Sequence, residues 1–305
     1  MVGDPVPVTP VPVSVPGSFR AAVLDWWGQA RHGRDVLPWR ATRDPWAVLV
    51  SETMLVQTQA GRVAGRYPEV LARFPTPAAL ASAPVGELLA AWVGLGYNRR
   101  ALWLRDAARQ LVERHGGRVP DDLSALQALA GVGPYTARAV LAFAFERPVG
   151  VVDTNVGRVL ARAVVGAALS PGRAQATADA LVPSGQARSW NLALMDLGAL
   201  RCRPRRPACE GCPLGAGGCA WRRSGGDDPA HGSAGTSRPQ ASFAGSDRQG
   251  RGRLVRAVLA GPVGAAALAE AAGWPDEPER AARVAAALVA EGLLAGDGAG
   301  GVHLP

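Results

Sequence analysis

Lysine is absent from all 305 residues, so each of the 33 lysine-plus-arginine positions is an arginine. No side-chain amine exists to form a Schiff base, which leaves only the N-terminal amine for such chemistry. No uninterrupted apolar run reaches the roughly 20 residues of a membrane-spanning helix, and no charged start followed by an apolar core marks a secretory leader. These absences predict a soluble, cytosolic protein with no membrane partner. Cysteine is missing outside residues 202–219, so disulfides cannot tie together the rest of the chain. In a reducing compartment, four clustered thiols read as a metal site before they read as disulfides. Period-two alternation is lacking before residue 200, which argues against a sizeable sheet and predicts an all-α core. Acidic residues are too few to balance the arginines, 25 against 33, and the net charge of +8 points to a polyanionic partner. A hydrophobic content of 48% is ample for a packed core, and the length suggests two or three units.

Residues 1–17 alternate valine with proline and are expected to form a disordered, extended tail. Ser18 is the expected cap of a first helix with Phe19, Val23, Trp26 and Trp27 on one face. Helical patterns follow over roughly 46–59, 62–73, 77–91, 99–114, 122–130, 134–146, 154–166, 171–182 and 187–199, separated by Gly- or Pro-bearing turns. Residues 223–250 are rich in Gly, Ser and Asp and read as a linker. From Arg251 order is expected to return as three helices and a short terminal hairpin, either a small winged helix or a generic helical appendage.

Four places carry chemistry. In Leu129-Ala130-Gly131-Val132-Gly133-Pro134, two glycines turn the chain and Pro134 suits the first helical position. The backbone N–H groups after Gly133, at Tyr135 and Thr136, then face outward at a helix start that attracts phosphate. Taken alone, the stretch is equally an αα-hairpin with a Gly-rich turn. About twenty residues on, Asp153 and Asn155 sit in a loop where an Asp can also serve as a simple cap. Glu52 lies on a helix otherwise built of Leu49, Val50, Met54, Leu55 and Val56, where desolvation would favour the protonated form and suit a general acid. One carboxyl kept protonated and another kept ionised is the pattern that cleaves a glycosidic bond through an oxocarbenium-like state. Cys202, Cys209, Cys212 and Cys219 have one close pair flanked by two distant singles, unlike the two close pairs of a zinc ribbon. Four thiolates in one short loop also suit a [4Fe–4S] cluster.

Leu37-Pro38-Trp39-Arg40, Ser51-Glu52-x-Met54-Leu55-x-Gln57-Thr58-Gln59, Gly94-Leu95-Gly96-Tyr97, Gly131 to Thr136, Val152-Asp153-Thr154-Asn155-Val156 and the four cysteines occur in one order. Over residues 18–222 the chain resembles the MutY-type adenine DNA glycosylases of the helix-hairpin-helix, Gly/Pro-Asp superfamily. The resemblance implies two α-helical subdomains with the active site between them and a [4Fe–4S] loop over 202–219. It implies that Glu52 protonates adenine at N7, that Asp153 stabilises the developing C1′ cation, that Asn155 supports Asp153 and that Tyr135 orients the carboxylates. Tyr135 stands where the related endonuclease III lyases carry a Schiff-base lysine, which implies a monofunctional glycosylase. Trp39, Arg40 and Leu55 are implied at the base pocket. Gln57 and Tyr97 are implied as wedges into the stack, Thr58 as a contact to the lesion, and Gly131 and Gly133 as the backbone grip on phosphate. The implied partner is double-stranded DNA holding a mispaired or damaged base, bound by a monomer in a bacterial-type, nucleoid-associated setting.

The sequence departs from that pattern at Val56, Asn98 and Leu192, and the last cysteine gap is six residues. The residues after the cluster do not match the lesion-reading domain usual in that family, so preference for 8-oxoguanine must arise elsewhere or be small. Two other functions remain open: a thymine or uracil mismatch glycosylase acting opposite guanine, and a non-catalytic DNA-binding iron–sulfur regulator.

Overall fold

The computed structural model describes residues 17–29, 37–233 and 242–305. The expected Val-Pro tail, Gly17 excepted, and the middle of the expected linker lie outside these residues. The chain forms two compact units, one from residues 1–36 and 137–238, the other from 37–136 and 239–305.

In the second unit the central element is the helix Pro45–Leu55. Asp44 caps it by accepting from the Ala47 N–H at 2.8 Å, Pro45 starts it, and residues 46 through 54 are all buried. A helix buried all round is a core helix rather than a surface one. It ends at Leu55, because Val56 turns extended and Gln57 takes φ 54°, so the expected run to Gln59 is four residues too long. The expected helices 62–73 and 77–91 each split in two, into Ala60–Ala64 and Tyr67–Arg73, and into Pro77–Ala81 and Val85–Trp92. Pro84 explains the second break, since a residue before proline is driven from helical geometry. Arg99–His115 is a single helix that stops at Gly116, φ 58°.

Residues 242–305 add the helices Asp247–Ala260, Leu268–Ala272 and Pro278–Ala290 and a two-stranded antiparallel hairpin, Ala295–Gly296 against Val302–His303. Val263 forms an isolated antiparallel bridge to Val302 beside the hairpin. Its apolar residues Leu254, Val255, Val258, Trp274 and Leu288 share one core with Val85, Leu89 and Leu102. The C-terminal helices therefore do not stand apart behind a linker. Helix formation also begins four residues earlier than expected, at Asp247 rather than Arg251.

In the first unit, Phe19 and Val23 of the helix Gly17–Gln29 join Leu160, Trp190, Leu194 and Leu197 in a second core. The Phe19 and Trp190 rings meet edge-to-face, centroids 6.1 Å apart. Here too part of the expected linker is packed structure. Ala230 and Ser233 are buried, and the Ser233 hydroxyl accepts from the Leu169 N–H at 3.1 Å. Among the described residues no helix is long and apolar enough to cross a membrane.

Candidate active site and cysteine loop

Glu52 sits in the last turn and a half of the buried helix Pro45–Leu55 and is only 4% exposed. Its neighbours Ser51 and Thr53 turn their hydroxyls back onto the carbonyls of Val48 and Leu49, both at 2.8 Å, and so satisfy themselves within the helix. Trp39 lies in the short 3₁₀ turn Pro38–Ala41 that precedes this helix. Its buried ring stands edge-on to Tyr67, centroids 5.9 Å apart, while Arg40 beside it is partly exposed. Leu55 is partly exposed at the helix end.

Two loops leave this unit with strained backbone. Gln57 and Tyr97 are non-glycine residues at φ 54° and 48°, a region that L-residues rarely adopt. Arg100, buried to 4% exposure, holds both loops. It donates to the Thr53 and Met54 carbonyls at 2.8 and 2.9 Å, to the Thr58 hydroxyl at 2.9 Å, and to the Leu95 and Gly96 carbonyls at 3.3 and 3.0 Å. Its guanidinium also lies over the Trp92 and Tyr97 rings. Burial pulls the Arg100 pKa down to about 10, still well above neutral. Thr58 therefore spends its hydroxyl on the brace between the loops. Nothing in the sequence singled out Arg100; only the geometry reveals it.

Gly131 and Gly133 form the turn before the helix Pro134–Ala144. Gly131 has φ 71°, and a Cβ there would come within 2.7 Å of the Trp103 Cβ, so glycine is required twice over. Both glycines are exposed and Tyr135 is partly buried.

Asp153 caps the helix Thr154–Val159, its Oδ1 accepting from the Val156 N–H at 2.7 Å, while Oδ2 accepts from the Asn155 side-chain amide at 2.9 Å. Burial nevertheless outweighs these bonds and pushes the Asp153 carboxyl above the usual aspartate range. The pairing expected between Asn155 and Asp153 is thus present in the geometry. Asn155 is fixed in turn by Arg158, which donates to its Oδ1 at 2.8 Å, to the Gly198 carbonyl at 2.7 Å and to the Cys202 carbonyl at 2.5 Å. Gly198 has no room for a side chain, since a Cβ would lie 2.6 Å from that of Asn155. Asn191 anchors the approach to the loop, accepting from the Val151 N–H at 2.8 Å and donating to the Val149 carbonyl at 3.0 Å. Arg158, Asn191 and Gly198 carried no sequence signal of their own, because each acts through a contact some 40 residues away.

The cysteine loop encloses a cavity of about 290 Å³ lined by all four thiols with Val159, Leu197 and Leu214. None of the four is in a disulfide. Four free thiols lining one cavity are a donor set that fits a metal centre. Arg162, 1% exposed and carried on the π-helical turn Leu160–Val165, donates to the Arg203 carbonyl at 2.7 Å and reaches the Cys202 sulfur at 3.5 Å. Asp228 clamps it in a bidentate ion pair, Nε to Oδ1 at 2.8 Å.

A helical scaffold with a Gly-hairpin, a capping aspartate and a cysteine loop defines a class of base-excision proteins. The family model "HhH-GPD superfamily base excision DNA repair protein" matches residues 50–183. The adenine DNA glycosylase of Mycobacterium tuberculosis is 44% identical over 276 residues, covering 88% of each chain. The thymine/uracil-DNA glycosylase of Methanothermobacter thermautotrophicus is 36% identical, covering 64% of this chain and 90% of its own. A solved thermostable thymine-DNA glycosylase superposes with TM-score 0.61 at 32% identity, over 68% of this chain and 95% of that one. The chain belongs to the adenine DNA glycosylases of this superfamily. The 276-residue match is too long to fit within residues 18–222, so the mycobacterial relative shares part of the C-terminal helices as well.

Proposed function

We propose that the protein removes adenine mispaired with 8-oxoguanine or guanine in duplex DNA, acting as a monomer in base excision repair. Glu52 gives its proton to adenine N7, and the C1′–N9 bond breaks with its electron pair passing into the base. The Asp153 carboxylate, kept in place by Asn155 and Val156, stabilises the cation left at C1′. Water then adds to C1′ and loses a proton, leaving an abasic site. Tyr135 orients the carboxyls, Trp39, Arg40 and Leu55 line the base pocket, Gln57 and Tyr97 enter the stack vacated by the flipped base, and Thr58 contacts the lesion. Gly131 and Gly133 let the hairpin backbone approach phosphate.

The observation that carries this reading is the burial of Glu52 within an otherwise apolar core helix. Burial in the helix keeps this carboxyl out of bulk water, which is where a proton donor to an extruded base has to act. A protein that only bound DNA would need neither this residue nor the Asp153 arrangement. Cys202, Cys209, Cys212 and Cys219 fit a [4Fe–4S] cluster, whose contribution would be to order the surrounding arginine-rich loop against phosphate. The purified protein should then be brown, with about four irons per chain; zinc without iron would overturn the assignment.

A second reading, excision of thymine or uracil opposite guanine, is favoured by one residue. Leu192, buried at 8% exposure, is apolar on the helix before the cluster, where the resemblance leads one to expect a base-reading polar side chain. One experiment separates the readings. The protein is incubated with duplexes carrying A, T or U opposite G or 8-oxoguanine, and abasic sites are cleaved with alkali. Adenine release is expected on both A-containing duplexes, with the strand intact until alkali is added because the chain has no lysine. Release of T or U alone would establish the second reading instead.

A further inference from the structure

Beside Tyr97, an exposed aromatic ring and an arginine meet that have no role in the assignments above, Phe243 and Arg248. Arg248, in the first turn of the helix Asp247–Ala260, donates to the Tyr97 hydroxyl at 2.8 Å. Its guanidinium lies 5.9 Å from the Tyr97 ring centroid and 5.9 Å from that of Phe243. Tyr97 is 39% exposed and Phe243, at 59%, is the most exposed large apolar side chain among the described residues. Neither ring hangs on a loose segment. The Phe243 carbonyl accepts from the Ser246 hydroxyl at 2.7 Å, Gly245 is held by Gln249 and Arg280, and the helix behind shares a core with Val85, Leu89 and Leu102. The Tyr97 ring is also met by the Arg100 guanidinium, 5.6 Å from its centroid.

A single exposed ring is ordinary on a protein surface, but Phe243 and Tyr97 are brought together at one guanidinium. An exposed ring beside a guanidinium, next to a strained loop, matches the chemistry that takes an unpaired base: a ring for its face, a planar donor fork for its acceptor edge. We propose that Phe243 and Arg248, together with Tyr97, form a specificity-determining ledge that takes the purine left opposite the extruded adenine. The proposal rests on the adenine-excision reading. It gives the C-terminal residues Phe243 and Arg248 a part in choosing the opposite base.

The test measures affinity rather than excision, so it remains informative even if adenine is not the base removed. Full-length protein and its Phe243→Ala and Arg248→Ala variants are titrated by fluorescence anisotropy with three duplexes. These place a non-cleavable adenosine analogue opposite 8-oxoguanine, opposite guanine, or opposite a tetrahydrofuran that has no base. Loss of one stacking or bidentate contact should raise Kd for the two base-containing duplexes roughly tenfold. Kd for the tetrahydrofuran duplex should move by less than about twofold. Phe243→Tyr, which keeps the ring, should bind as the parent does. An equal loss on all three duplexes would reduce the ledge to a phosphate contact, and no loss on any would remove it from the interface; either result overturns the proposal. Failure of the adenine reading itself would appear separately, as absent adenine release by the unaltered protein.

Discussion

Asp153 accepts two hydrogen bonds that favour its charge and suffers a burial that opposes it more strongly. With its folded-state pKa above the unfolded one, the folded chain holds more proton through that interval. Its contribution to stability therefore falls as pH rises through the interval and stays low above it. Asp153→Asn has no such proton, so the stability advantage of the parent over this variant should shrink as pH rises from about 4 to 7. Calorimetric melting of both proteins across that range checks this, and a widening gap would contradict it. Excision needs the ionised form, so the acid limb of the single-turnover rate should lie above the usual aspartate range. Arg100 offers a test in the opposite sense, because its five hydrogen bonds fix two strained loops. Arg100→Leu leaves buried carbonyls unpaired and should lower stability by about 2–4 kcal/mol in urea unfolding. A loss below about 0.5 kcal/mol would mean that the loops hold themselves.

The helices were legible in the sequence wherever Gly or Pro marked their ends and an apolar face ran between. Pro45–Leu55 began where expected because Asp44 and Pro45 announce it. At Pro84, within the expected helix 77–91, the proline marked a break that the apolar period running through it concealed. Segment 225–233 failed to read for a different reason. Its Gly, Ser and Asp composition suits a linker, yet Asp228 reaches back 66 residues to Arg162. That pair makes the segment a strap on the cysteine loop. Asp228→Ala leaves a guanidinium at 1% exposure without its carboxylate, an arrangement that is strongly destabilising where it is buried. Cluster absorbance in air should then bleach several times faster than in the parent protein, and an unchanged bleaching rate would free the strap of that role.

At the scale of the whole molecule, the ordered motifs gave the family, and Glu52 and Asp153 were singled out through the resemblance, since a helix carboxyl or a capping aspartate is common by itself. Arg100, Arg158 and Asn191 were not readable, since an arginine or asparagine that holds distant carbonyls looks like any other in the sequence. Nor was the division of the chain into units. The helix Asp247–Ala260 shows by Leu254, Val255 and Val258 that it buries a face, but not that it buries it against Val85, Leu89 and Leu102. A chain ending at residue 233 would uncover that face as well as remove the ledge at Phe243. It should aggregate or melt well below the full-length protein, so point substitutions are the cleaner probes of specificity. An unchanged midpoint in thermal denaturation would show that the shared core is dispensable. The central claim is that Glu52 is the acid that releases adenine. Its most direct test is the single-turnover release of adenine from an A:8-oxoguanine duplex by Glu52→Gln, with protein in saturating excess. General acid catalysis predicts a fall of about 10²–10⁴-fold with duplex affinity nearly intact. Release at the parental rate would contradict the assignment and the mechanism built on it.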